Sequence, residues 1–365
     1  MSQSSGMALF SRKPFKVYPI GMHWDTEDPF LFVSHHEDDY PEGNRQQAPP
    51  LQQISGRNLG RDYQVRFGFR MYNGKVVPGF PMHAHWGYET ITLAEKGYVD
   101  HFDTEGIEGR FGFGDVQWVC ASSKYQHDEM YPLADQEARN PNDITQIHLN
   151  LPLEMKNKAN AVSTVWACDV PVVEGEGWSA KVICGTFGGR RAASPSPESW
   201  ADGTHGVRIL RFAMDPGASF ELDPAAEGAR RNVYLVTGDG FKVAGIDVKP
   251  SSRVKTESAG SLRIENSGTV PAVVWVLEGR PIGQEMSAWG PVTLGDIDEV
   301  RKAMDDIRRD EYQVWPWKVV DLWQPLGTPR FIRQADGTVS VPRDQPPCGE
   351  LPVGEKNPNR EESKE

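Results

Sequence analysis

Between about residues 60 and 280 the chain is cut into short runs of alternating apolar and polar side chains, separated by glycine or aspartate. Examples are YQVRFGFRMY (63–72), YETITLA (88–94), YVDHF (98–102), DVQWVCA (115–121) and ITQIHLNL (144–151). The texture returns in AKVICGTF (180–187), VRILRFAM (207–214), RNVYLVTG (231–238), SLRIEN (261–266) and AVVWVLEG (272–279). Successive side chains of an extended strand face opposite sides, so a period of two marks strands half-covered by a core. Runs this short, closed by turn formers, predict antiparallel sheets at sandwich or barrel spacing. The 36 glycines and 28 prolines agree, favouring many turns over long helices.

A length of 365 residues is comfortable for two domains, and 38% hydrophobic with 25% charged residues rules out wholesale disorder. The net charge of −12 repels phosphate. Direct contact with nucleic acid or an anionic membrane is therefore not expected, although a partner protein could bring the chain to a nucleic acid. The longest apolar stretch, Ala272 to Leu277, has six residues, far short of the roughly 20 that a membrane helix needs. The beginning, MSQSSGMALFSRKPF, lacks the apolar region of a secretory signal. Cys120, Cys168, Cys184 and Cys348 form no close pair. A reduced cytoplasmic setting is expected, or a nuclear one in a eukaryote.

The strand runs fall into two groups, with a soft boundary after LNLPLEM (149–155). We expect an N-terminal domain over 1–155, a C-terminal domain over 156–325, and an extended tail or wrap over 326–365. Segments 35–52 and 188–206 read as loops. One helix is expected over 295–310, docked through Ile297, Val300, Met304 and Ile307, with Asp296 and Glu299 as a capping box.

Of nine histidines, His23, His35, His36 and His205 lie in polar segments and read as solvated, and His101 as an exposed strand residue. His83 and His85 in GFPMHAHWGYET, and His127 and Glu129 in YQHDEMYP, are different. Residues i and i+2 of a strand share a face, so each pair presents two ligand-type side chains side by side. Two such strands facing each other across a barrel would bring three imidazoles and a carboxylate to one point. That donor set suits a first-row transition metal with up to two open octahedral positions. The same pattern also arises on two exposed strand faces with no metal, and parity alone does not separate the two.

The stretch GFPMHAHWGYETITLAEKGYVDHFDTEGIEGRFGFGDVQWVCASSKYQHDEM (79–130) resembles the pirin family of bicupin proteins. It carries the HxHxG(F/Y)ET element, a His–Asp pair before a glycine turn, GDVQW and a terminal HxEM in that family's order. The spacing from Gly114 to His127 also fits pirins better than the general second cupin motif. Weaker matches are DPFLFV (28–33), LNLP (149–152) and EGRPIGQEMSAWGPV (278–292), so the resemblance runs from about residue 12 to about 320.

The resemblance implies an all-β fold of two stacked cupin (double-stranded β-helix, jelly-roll) barrels with a late C-terminal helix. It implies metal in the N-terminal barrel only, held by His83, His85, His127 and Glu129: iron as Fe(II)/Fe(III), with another first-row transition metal as the alternative. Many cupins instead take their carboxylate from the first motif, which here is Glu89, on the same face as His85 if parity runs on. The family departs here at Trp86, where an Arg is usual, and at Ser122, Ser123, Lys124, Tyr125 and Gln126, where glycines are usual. Both departures are expected to shape the pocket. Two functions follow from the resemblance. One is a flavonol (quercetin-type) 2,3-dioxygenase acting on a small aromatic substrate, with Glu129 as catalytic proton acceptor. The other is a non-enzymatic, iron-dependent redox-sensing regulator that binds a protein partner in transcription or metabolism. There is no nucleophile elbow, phosphate loop or dinucleotide fingerprint.

Overall fold

A computed structural model describes residues 15–193, 195, 199–256, 260–309 and 315–345; the expectations for 346–365 and Cys348 lie outside them. The fold is the expected pair of all-β barrels followed by a late helix, and every pairing between its strands is antiparallel.

The N-terminal barrel stacks two six-stranded sheets. One runs Ala161–Val165, Asp115–Ala121, Tyr88–Lys96, Asn140–Asn150, Phe30–Tyr40, His23–Trp24. The other runs Val339–Ser340, Phe331–Arg333, Glu108–Gly112, Tyr98–Asp103, Tyr125–Met130, Gly79–His85. The C-terminal barrel has a seven-stranded sheet centred on Arg230–Thr237, Ala272–Gly279 and Arg208–Met214, and a four-stranded sheet built on Leu262–Asn266. The units exchange chain. Phe15–Pro19 forms an edge of the seven-stranded sheet through Ser252–Thr256, and Phe331–Arg333 extends the N-terminal barrel through Glu108–Gly112.

The barrels meet sheet to sheet. Ile91, Leu93, Trp118, Val33 and Ile147 of the first pack with Ile209, Tyr234, Trp275 and Leu277 of the second. The strand Tyr88–Lys96 is therefore buried on both faces over most of its length. Its odd residues meet the other barrel and its even residues face its own interior. The outer face of the sheet that contains Tyr98–Asp103 and Tyr125–Met130 is covered by the segment 315–324. There Trp317 packs edge-on against Phe102, and the Asp128 carboxylate accepts from the Leu322 N–H at 2.8 Å.

Three local expectations are corrected. Residues 63–72 form no strand: the isolated bridges Asp62↔Tyr72, Arg66↔Phe69 and Tyr72↔Gly79 form, and Tyr63, Val65 and Phe67 stay exposed. Glycine at 68 (φ +90°) lets the excursion turn back, and it touches the sheets only at isolated points, as where the Gly68 carbonyl accepts from the Asp39 N–H at 2.9 Å. The region 35–52 begins as strand, because 35–40 completes Phe30–Tyr40 against Asn140–Asn150. The helix spans Ile297–Arg309, capped by Asp296 Oδ1, which accepts from the N–H groups of Asp298 and Glu299 at 2.9 Å. Val300 and Ala303 are buried and Met304 and Ile307 half-buried against Trp86, Val292 and Leu294, whereas Ile297 points to solvent. The docking stripe is thus centred one position further round than the apolar spacing indicates. Among the described residues no helix is long and apolar enough to cross a membrane.

Candidate metal centre

The strands Gly79–His85 and Tyr125–Met130 pair so that His83 stands opposite His127. A register shift between Phe80 and His83 precedes the histidines, and beyond it the i, i+2 rule puts His83 and His85 on the interior face. His127 Nε2 lies 2.9 Å from His85 Nε2 and 3.1 Å from His83 Nε2. Glu129 Oε2 is 3.6 Å from His127 Nε2 and 3.8 Å from His83 Nε2. The structure thus brings together the four side chains singled out in the sequence.

The chemistry of this donor set fits a cation. His83 Nδ1 faces the Pro81 carbonyl at 3.1 Å, which can only accept, so Nδ1 carries the proton and Nε2 presents a lone pair inward. His85 Nδ1 is 2.5 Å from the Tyr88 hydroxyl, which fixes the second ring. Burial depresses the affinity of all three imidazoles for a second proton, strongly for His85 and His127. Neutral rings whose Nε2 lone pairs turn inward make a point of negative potential that a cation would occupy. Two nitrogens bound about 2.1 Å from one ion at right angles stand about 3 Å apart, the spacing seen here. Among the described residues, His83, His85 and His127 are the only cluster of three such groups close enough to share an ion.

The site opens into a cavity of about 590 Å³. Phe32, Tyr63, Phe80, Tyr88 and Tyr131 give it aromatic walls, and no lysine or arginine is among the described lining residues. His83, about one-third exposed, faces this space, while His127 is fully buried behind it.

Several single-residue expectations change. Glu89 does not share a face with His85, because the turn at Gly87 (φ +90°) separates the two strands and resets parity. Thr90 and Thr92 face the interior. Glu89 points between the barrels, where its Oε2 accepts from Ser199 Oγ at 2.8 Å, and burial lifts its carboxyl to about 7. His101 is buried, not exposed: its ring contacts the His127 ring at 5.4 Å and its Nε2 lies 3.0 Å from Asp103 Oδ2. His36 is buried and lines the cavity, and His35 pairs with Asp143 at 3.0 Å. Trp86 and residues 122–126 are not among the cavity-lining residues. The Trp86 indole donates to Asn157 Oδ1 at 2.8 Å and its backbone binds the hairpin at Pro291 and Thr293. Tyr125 is buried and donates to Asp103 Oδ2 at 2.8 Å.

His148 and Gln146 were not singled out in the sequence. Both lie on Asn140–Asn150, and their partners Thr90 and Thr92 put them on the interior face. Alternation in ITQIHLNL gives the shared face of the two residues, but nothing local says that this face looks at a metal centre.

Comparison with known proteins agrees with this site and fold. The family model described as Pirin matches residues 13–148, and the Pirin C-terminal cupin domain matches residues 209–313. A pirin-like protein of Caulobacter vibrioides is 32% identical over 238 residues, spanning 64% of this chain and 80% of the relative. A Pseudomonas aeruginosa protein, whose name provisionally assigns it quercetin 2,3-dioxygenase activity, is 25% identical over 238 residues, 64% of this chain and 79% of that one. A crystal structure of quercetin 2,3-dioxygenase from Acinetobacter baumannii superposes with a TM-score of 0.63 at 18% identity, covering 81% of this chain and 96% of that one, a likeness of fold.

Proposed function

Since the chain belongs to the pirin family, we propose that His83, His85, His127 and Glu129 hold one transition-metal ion, iron in the first instance. We further propose that the site is a dioxygenase for a flavonol-like phenol. The observation that carries this is the convergence of three Nε2 atoms and one carboxylate on the wall of an aromatic-lined cavity with no lysine or arginine among its described lining residues. The provisional assignment carried by the Pseudomonas relative supports it.

Iron held by His83, His85, His127 and Glu129 would supply Lewis-acid and one-electron redox chemistry toward the phenol and O₂. The chain supplies the rest. Phe80 and Tyr131 offer flat apolar contact to a planar ring system, and the cationless lining favours an uncharged ligand over an organic acid. In this reading Glu129, a carboxylate of the cavity lining, takes the phenolic proton. The Pro81 carbonyl and the Tyr88 hydroxyl hold two of the imidazoles in their inward orientation.

The test is anaerobic loading with Fe(II), followed by quercetin and O₂, measuring flavonol loss and carbon monoxide release. Turnover in the wild type and none in His127→Ala is expected, with metal content falling from one ion per chain to below a tenth. Equal metal in His127→Ala and the wild type would sink the ligand assignment. A loaded wild type that does not turn over, but whose oxidation state alters affinity for a protein partner, would replace the enzyme by a redox-sensing regulator.

A further inference from the structure

The Glu129 carboxylate is the end point of a directed hydrogen-bond chain whose other members, Gln146, Thr92 and His148, lie outside the proposed ligand set. Gln146 Nε2 lies 3.1 Å from Glu129 Oε1 and 3.0 Å from Oε2. It also lies 3.3 Å from Thr92 Oγ1, and the Thr92 hydroxyl donates to Glu129 Oε1 at 3.5 Å. On its other side, Gln146 Oε1 is 3.3 Å from His148 Nε2.

The chemistry of the groups fixes every direction in this chain. An ionised carboxylate only accepts, so Gln146 must turn its amide nitrogen toward Glu129 and its oxygen away. That oxygen also only accepts, so His148 must carry its proton on Nε2. The His148 ring is held in place by stacking on Tyr88, 4.7 Å between centroids, and by Phe32 at 4.2 Å. Aligned donors of this kind reinforce one another and hold the carboxylate in one rotamer, with Oε2 nearest the nitrogens of His127 and His83.

We propose that Gln146 is a positioning residue for the metal centre: locked by His148 and assisted by Thr92, it holds the Glu129 carboxylate turned toward the His127 and His83 nitrogens and keeps it from swinging into the cavity. This rests on the ligand set proposed above. It makes the strand Asn140–Asn150, which contributes no ligand, a determinant of the coordination geometry.

The probe is Co(II) added to the full metal-free chain, read by its visible absorption and by competition with a chelator. Gln146→Leu should change the band positions and weaken cobalt binding roughly 10–100-fold, the usual range for partners that orient a metal ligand. His148→Phe keeps the stacking and removes only the donor to Gln146, so it should shift the spectrum the same way with a smaller loss of affinity. Thermal unfolding of the metal-free variants should match the wild type, separating positioning from folding. If Gln146→Leu does not fold, His148→Phe decides alone. Wild-type spectra and affinity in the variant that folds would overturn the proposal and leave the ligand set standing. A wild type that takes up no cobalt would overturn both.

Discussion

The two barrels are built alike and filled differently. In the C-terminal barrel the space between the sheets is hydrocarbon: Val182, Leu210, Phe212, Phe220, Val233, Leu235, Ile264, Val274 and Val276 are all buried there. Phe212 and Phe220 stack at 3.8 Å between centroids. Its buried charges are paired, as where Glu278 accepts from Arg208 and Arg231. The interior of the N-terminal barrel carries buried His36, Thr92, His101, Gln117, His127, Glu129 and His148 with Gln146 half-buried beside them, while apolar residues such as Val99, Phe111 and Ile144 are gathered in a separate cluster. An interior this polar gives up transfer free energy. Beside that cluster, apolar burial is added from outside, by the opposing barrel on one sheet and the segment 315–324 on the other. The comparison teaches that the scaffold fixes where side chains point, and their polarity decides whether a barrel is a core or a site.

The sharpest way to break the comparison is to place a charge in the apolar barrel. Phe212→Asp buries an unpaired carboxylate and removes a stacked ring, and should cost more than about 4 kcal/mol. Expression as folded protein with an unchanged denaturation midpoint would mean that the C-terminal interior is not the dry core described here.

Trp317→Ala probes the dependence of the polar barrel on its cover. The indole donates to the Asp103 carbonyl at 2.8 Å and packs on Phe102, so its loss should cost about 3–5 kcal/mol, read by urea unfolding. A loss below about 1 kcal/mol would show that the segment merely lies on the sheet.

Glu89 tests the seam between the barrels. Burial raises its carboxyl from the ordinary 4.5 to about 7, against the lowering effect of the Ser199 hydrogen bond. The folded value exceeds the unfolded one, so the stability it contributes is complete below about pH 4.5 and is lost as the pH rises through about 7. Glu89→Gln removes that loss. It should unfold like the wild type near pH 4 and be more stable at pH 8 by at most about 3 kcal/mol. A constant difference across that range would exclude titration of this group as the cause.

The smallest expected effect belongs to Gln117, whose amide oxygen and nitrogen are both buried without a hydrogen-bond partner among the described residues. Gln117→Leu should be neutral or stabilising by about 1 kcal/mol, because no satisfied bond is lost and an unsatisfied amide is removed. A large destabilisation would mean that this amide has a partner in solution and belongs to the polar network of the site.

Local sequence determined a good deal of this protein. Period-two runs located most strands, and Asp115–Ala121 and Ala272–Gly279 fall where the alternation puts them. His-x-His and His-x-Glu placed their side chains in pairs because the i, i+2 relation is a property of the strand itself. Tertiary structure decided which face of each strand became the interior. Tyr88–Lys96 is covered on both sides, so its sequence holds no contrast between a wet and a dry face, and the turn at Gly87 cuts the parity that seemed to tie Glu89 to His85. His101, His36 and His148 were buried by strand pairings such as His101↔Glu129, His36↔Ile144 and His148↔Phe32, 28 to 116 residues apart in the chain, and no short window records that pairing. The exchange of Phe15–Pro19 and Phe331–Arg333 between the barrels has the same origin: an edge strand is chosen by the unpaired N–H and C=O groups it meets, and only the folded chain presents them.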